Sequence, residues 1–232
     1  MGVGLEVIGD SGSVLIDANW INYALVSVTT INSRNQNNIA PVFTGATLSD
    51  MLEGDLVFVH CTSVFAVVGL RFVENVRCHS VATFAVGVPV TFYVFRKQPP
   101  TDSKFGMQVF SATGELIFDA ASKFVRVDGS VPASDIYLAR DYALGLKKYA
   151  VLLPSFCGQI VTNWFTSGAG GQFPWFQQID VYAPSAQVFA NGVRTLGQRA
   201  IASQTIPDTT GRPTQVTTAR PVQMLIANVT GF

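Results

Sequence analysis

An all-β fold, sandwich-like or barrel-like, is what this sequence predicts. Three observations lead there: a hairpin motif written twice, many short runs rich in Val, Phe and Thr, and turn-forming residues between those runs. The motif comes first. Residues 4–17 read GLEVIGDSGSVLID and residues 106–119 read GMQVFSATGELIFD. The two align without a gap, Gly106 standing 102 positions after Gly4. Gly4/Gly106, Val7/Val109, Gly12/Gly114 and Asp17/Asp119 are identical, and Leu5/Met107, Ile8/Phe110, Leu15/Ile117 and Ile16/Phe118 are conservative pairs. Each copy reads as an apolar strand, a small polar turn ending in Gly, and a returning apolar strand. The turn glycines Gly12 and Gly114 supply the positive φ that a tight hairpin or bulge requires. Asp17 and Asp119 are placed to cap the turn that follows, the same structural task done twice.

The β pattern continues beyond each hairpin. Runs 23–31, 56–61, 64–73, 81–86 and 90–96 are rich in Val, Phe and Thr, as are 124–127, 149–153, 159–166, 176–182, 187–189 and 224–229. Gly54-Asp55, Pro99-Pro100, Asp128-Gly129, the Gly168–Gly171 stretch and Asn191-Gly192 punctuate them. The best helical window, 133–148, predicts one or two turns. Pro99-Pro100, just before the second hairpin, marks the expected boundary between a first β domain at 1–100 and a second at 101–202. Residues 203–221 are rich in Thr, Pro and Gln and read as an extended arm or a long loop. A terminal strand follows within 203–232.

Composition narrows the class of function. The chain is 48% hydrophobic and 13% charged, with a mean hydropathy of +0.33. Such a chain buries enough apolar surface to order itself. Its charged share is well under the usual roughly 25%, which suits a surface covered by neighbouring subunits. Net charge is zero and the cations are scattered, so no basic face is expected for nucleic acid. The first residues carry acids at Glu6, Asp10 and Asp17 and no basic segment, unlike a secretory leader. The longest apolar run, 81–95, is too short and too interrupted for a membrane helix. A chain made in the cytoplasm without a membrane span is the expectation. Cys61, Cys78 and Cys157 are few, odd in number and widely spaced, and read as buried free thiols.

Chemistry-bearing residues are sparse. His60-Cys61 and Cys78-His79 have metal-ligand types, but neighbours on a strand face opposite ways, so each strand offers one ligand to a shared site. Two ligands do not close a tetrahedral zinc site, and no metal or other cofactor is expected. There is no GxSxG, and no acid is placed beside either His, so no enzyme is expected. Gly168-Ala-Gly-Gly171 lacks the GK[ST] ending of a phosphate loop. Trp164, Phe165, Phe173, Trp175 and Phe176 flank that glycine stretch. Core packing, a subunit contact, or stacking on sugar faces are the roles open to them.

The opening GLEVIGDSGSVLID and its echo at 106–119 resemble the start of small tail-tip and tail-fibre proteins of siphophages that infect Gram-negative bacteria. Those begin with a Gly-Leu-x-Val strand, a Gly turn and a strand closing in Asp, followed by a strand bearing Tyr or Phe. Tyr23 and Phe124 stand near the corresponding places. The final Met224-Leu-Ile-Ala-Asn-Val-Thr-Gly-Phe232 is similar to the terminal strand of such proteins. The resemblance covers the hairpin and the segment after it in each copy, and this tail. It implies a structural protein of a phage virion, in the distal tail, baseplate or fibre apparatus, whose partners are other tail proteins and copies of itself. A homotrimer is the stoichiometry it suggests. A receptor-binding module for a host surface glycan or pilus, using the aromatic 164–176 region, is the alternative.

Overall fold

A computed structural model describes residues 6–8, 14–17, 22–36, 43–73, 76–97, 106–111, 113–132, 134–136, 138–152, 158–166, 175–208, 215–219 and 223–232. The described residues form nineteen strands: β1 Glu6–Ile8, β2 Val14–Asp17, β3 Tyr23–Asn32, β4 Arg34–Gln36, β5 Phe43–Leu48, β6 Leu56–His60, β7 Phe65–Val73, β8 Val76–Thr83, β9 Pro89–Lys97, β10 Gln108–Phe110, β11 Leu116–Asp119, β12 Val127–Pro132, β13 Ala139–Ala143, β14 Tyr149–Leu152, β15 Gly158–Thr166, β16 Trp175–Phe189, β17 Gly192–Asp208, β18 Gln215–Ala219 and β19 Gln223–Asn228. No helix occurs among the described residues. The helical turns expected within 133–148 are replaced by a turn at 134–136 and strand β13, because β13 finds a full antiparallel partner in β17. No helix there is long and apolar enough to cross a membrane.

The strands form an antiparallel sandwich. One layer has six strands in the order β12-β19-β14-β6-β9-β3, and the other runs β13-β17-β16-β7-β8-β5-β4, with β15 and β18 added beyond β16. Phe65, Val67, Val81, Phe92, Val94, Val151, Val188 and Ile226 fill the space between the layers. A second cluster, with Phe58, Tyr93, Phe95, Leu152 and Val229 at its centre, covers the opposite face of the six-stranded layer. β9 shows why: Val90, Phe92 and Val94 point one way and Tyr93 and Phe95 the other, and all five are buried. That layer is strongly curled. Phe124, three residues before β12 at one edge, bridges to Ala24 in β3 at the other. Leu25 N–H donates to Lys123 O, and Val125 N–H to Tyr23 O, so the curl stops short of a closed barrel.

The strand order reveals a duplication much longer than the hairpin. Setting aside the three-residue β4, six strands follow β1–β2, namely β3, β5, β6, β7, β8 and β9; setting aside β15 and β18, six follow β10–β11, namely β12, β13, β14, β16, β17 and β19. In both sets the first, sixth and third strands pair in that order in one layer, and the second, fifth and fourth in the other. The sets meet at equivalent strands: β6 with β14 at Val59↔Val151, and β7 with β16 at Phe65↔Ala186 and Ala66↔Ser185. Both joints are antiparallel, which is how two copies related by a two-fold would meet. The last strands agree in detail. Pro89-Val-Thr-Phe-Tyr-Val94 lines up with Pro221-Val-Gln-Met-Leu-Ile226, Phe92 and Met224 facing the main core, Tyr93 and Leu225 the second cluster. Residues 1–100 and 101–202 thus each head a repeat unit, but the units share both sheets. The second unit is completed by β19 from 203–232, where β17 and β18 also replace part of the expected arm.

One core group is titratable. His79 on β8 is buried beside Phe92, their rings edge to face with centroids 6.3 Å apart, and its Nε2 has no hydrogen-bond partner among the described residues. Burial lowers its pKa to about 4. The folded chain therefore holds this imidazole neutral while the unfolded chain protonates it near 6.5. Stability is unaffected by His79 above that pH and falls as pH drops from 6.5 towards 4, by on the order of 3 kcal/mol in all. Urea denaturation at pH 7 and pH 4.5 is expected to show a smaller acid loss for His79→Leu than for the wild type; equal losses would contradict this placement.

Candidate functional site

No group of three or more His, Cys, Asp or Glu able to hold a metal ion occurs among the described residues. The four residues with ligand chemistry are spread apart. His60 Nδ1 lies 2.6 Å from the carbonyl oxygen of Tyr149 across the joint between the units, and burial lowers its pKa against the opposing pull of that bond. His79 sits between the layers, while Cys78, its neighbour, faces the other side of β8. Cys61 is wholly buried, and burial raises its thiol pKa. These side chains pack the sandwich. Cys157 lies outside the described residues.

The repeated hairpins are the most regular feature of the chain. In the first, Glu6 faces Asp17, Val7 faces Ile16 and Ile8 faces Val14; in the second, Gln108 faces Asp119, Val109 faces Phe118 and Phe110 faces Leu116. Both ladders slip at the same step, so Leu15 and Ile117 are the equivalent bulged residues. The bulge has a use in the second copy. It turns the Ile117 carbonyl towards Asn22, which donates from its backbone N at 3.4 Å and from Nδ2 at 3.2 Å. Ile117 itself is buried, so the hairpin is fixed to the start of β3.

Gly114 turns this hairpin at φ +83°, and Gly106 enters it at φ +110° with Ala120 Cβ 3.6 Å from where its own Cβ would stand. Asp119 is fully buried; it accepts the backbone N–H of Ala121 at 2.7 Å and the Gln108 amide at 2.9 Å. The turn after β11 is thereby closed by the carboxylate, as the sequence predicts for this Asp. In the first hairpin Asp17 ends β2, while Gly4 and Gly12 lie outside the described residues. Apolar side chains remain on the outside of the second hairpin: Met107 is 46% exposed and Phe110 53%. Each hairpin pairs only within itself among the described residues.

The aromatic group falls on the one large departure from the duplication. In the first unit four residues, 61–64, lead from β6 to β7; in the second the corresponding path from β14 runs through β15 and the first half of β16. β16 and β17 are 15 and 17 residues long, on the order of 50 Å, and only their inner halves belong to the duplicated pattern. Their outer halves join β15 and β18 in a four-stranded arm, ordered β17-β16-β15-β18. Its register sets Trp164 opposite Gln177, Phe165 opposite Phe176 and Thr166 opposite Trp175. Positions 164 and 175 thus share one face of the ladder, and 165 and 176 the other. Phe173 lies outside the described residues. Sequence reasoning missed the arm as a unit, since β17 contains Gly197, Arg199 and Gln204 and reads poorly as a strand.

Removing the buried carboxylate leaves the Ala121 N–H and Gln108 amide without their acceptor. Asp119→Ala is expected to destabilise the chain by about 2 kcal/mol, and Asp119→Asn by less. Chemical denaturation measures both; a neutral Asp119→Ala would remove the capping role. Compared with protein-family models, with curated proteins and with solved structures, the chain finds no match in any of the three.

Proposed function

We propose that the chain is a non-catalytic structural subunit of a bacteriophage tail, in the distal tail, baseplate or fibre apparatus, acting by assembly with other tail proteins and with copies of itself. The observation that carries the reading is the hairpin motif itself. Its Gly-Leu-x-Val, turn-Gly and closing Asp are the residues in which the chain resembles tail-tip and fibre proteins, and the motif recurs, with Met107 in place of the Leu, in the same register and with the same bulge. Three further features support it. The chain is poor in charged residues, each hairpin forms a two-stranded sheet of its own among the described residues, and the second shows Met107 and Phe110 to solvent. An isolated two-stranded hairpin is marginal in water, so such elements gain from a neighbour that covers them.

A second reading has its own observation. The β15–β18 arm is present in one unit only and carries Trp164, Trp175 and Phe176, which suits a receptor-binding element for a host glycan or pilus. In either case the product is attachment between surfaces, with no covalent chemistry.

Antibody against the chain, applied to virions of the phage that encodes it, is expected to decorate the distal tail in negatively stained images. Unlabelled particles would overturn the reading. Binding of labelled chain to host cells, lost in Trp175→Ala, would favour the receptor reading over the purely structural one.

A further inference from the structure

The outer edges of the sheets are not treated alike. β12 is interrupted by a bulge between Val127 and Gly129, carries Asp128 and ends in Pro132. β13 bears Arg140 and Asp141, the latter paired with Arg194 in two contacts. β4 is three residues long and begins with Arg34. Charge, proline, bulges and shortness are the usual means by which an exposed edge is kept from pairing with another chain. β3 is the equivalent of β12 in the first unit, and past its own bulge at Leu25/Ser27 it has none of them. Ser27-Val-Thr-Thr-Ile-Asn32 is six residues of strand-forming, uncharged sequence with no proline. Val28 is 44% exposed, and Ser27, Thr30 and Asn32 are exposed as well.

The backbone of this run is aimed outward in a regular way. Asn32 faces Pro89, which has no N–H to give, and Ser33 N–H donates to Val88 O. Alternation along an antiparallel ladder then turns the N–H and C=O of Val28, Thr30 and Asn32 away from β9. Among the described residues nothing receives them: the contact of β3 with the second unit stops at Leu25, where Lys123 and Val125 bond.

We infer that this open edge of β3 is a self-association surface, occupied by β3 of a second copy in antiparallel, two-fold pairing. Two observations select that occupant. A two-fold brings an edge against its own sequence, so charges of one sign on a short edge are gathered near each other across the axis; Ser27–Asn32 is free of charge, whereas β12, β13 and β4 are not. The chain also already joins its own two units by this device, β6 to β14 and β7 to β16, edge to edge and antiparallel. With Thr30 on the axis, Val28 faces Asn32 of the partner and the curled six-stranded layers become one sheet of twelve. β18 is a second uncharged edge, at the far side of the arm; the variants below separate the two. This inference deepens the assembly reading by naming one partner and the strand that meets it.

Light scattering behind size exclusion and sedimentation equilibrium on the full chain are expected to give a dimer. Thr30→Pro removes an outward N–H and no backbone bond to β9, at the loss of the exposed hydroxyl contact of Thr30 with Thr91 at 2.9 Å, and is expected to weaken the dimer at least tenfold with the monomer still folded. Should that variant fail to fold, surface charges replace it. Val28→Lys with Asn32→Lys is expected to be monomeric, and Val28→Glu with Asn32→Lys to be dimeric again. A monomeric or trimeric wild type, or a dimer indifferent to Thr30→Pro and to both charge pairs, overturns the inference. Failure of tail decoration with the dimer intact would instead overturn the tail assignment and leave the β3 surface standing.

Discussion

The fold depends on the two antiparallel joints between the units. Each unit alone offers three strands to a layer, and three narrow strands cannot hide both faces of a core. Pairing β6 with β14 and β7 with β16 turns four short sheets into two wide ones, and the buried residues that result belong to both units at once. Val59 and Val151, Phe65 and Ala186 stand at these joints with exposures of 0%, 0%, 0% and 6%. Without the joints the side chains between the layers would lie at two sheet edges, open to water. The hairpins, the curl of the six-stranded layer and the arm all build on sheets that exist only because the joints do.

The duplication was legible in the sequence where it was locally constrained and hidden elsewhere. The hairpins need Gly at one point, Asp at another and alternating apolar residues between, so they kept register at a fixed spacing of 102 residues. The last strands, Pro89–Val94 and Pro221–Ile226, are 132 positions apart. The arm inserted in the second unit shifts the spacing by 30, and a search at one offset loses the match. Strand residues between those points need only be apolar on the right face. Phe92 became Met224 and Phe95 became Ala227 without changing which core they enter. Pattern is kept where identity is not.

Secondary structure was readable for the strands buried on two faces and misread for those stabilised by partners. β6, β9 and β14 are runs of Val, Phe, Tyr and Leu and declare themselves. β13, read as a helical turn, and β17, not read as a strand at all, contain Arg, Asp, Gln and Gly; they are strands because β17 and β16 supply their hydrogen bonds. The run expected at 81–86 ends at Thr83, because β8 pairs from Val76 with β7 and turns at 84–87 to reach β9. The capping Asp119 could be foreseen from its place in the motif. The Ile117 carbonyl could not, since nothing in a side-chain pattern announces which peptide oxygen a bulge will free.

One consequence follows from the place of β19. The strand formed by residues 223–228 lies inside the six-stranded layer, between β12 and β14, and Val229 and Phe232 close the second cluster against Tyr23 and Leu25. During synthesis the ribosome therefore releases the first unit's strands long before the strand that completes its neighbour. Until residues 223–232 emerge, β12 and β14 have no partner between them and the joint at β6 has little to hold. The six-stranded layer thus closes only after residues 223–232 have been made, well behind the strands on either side of them.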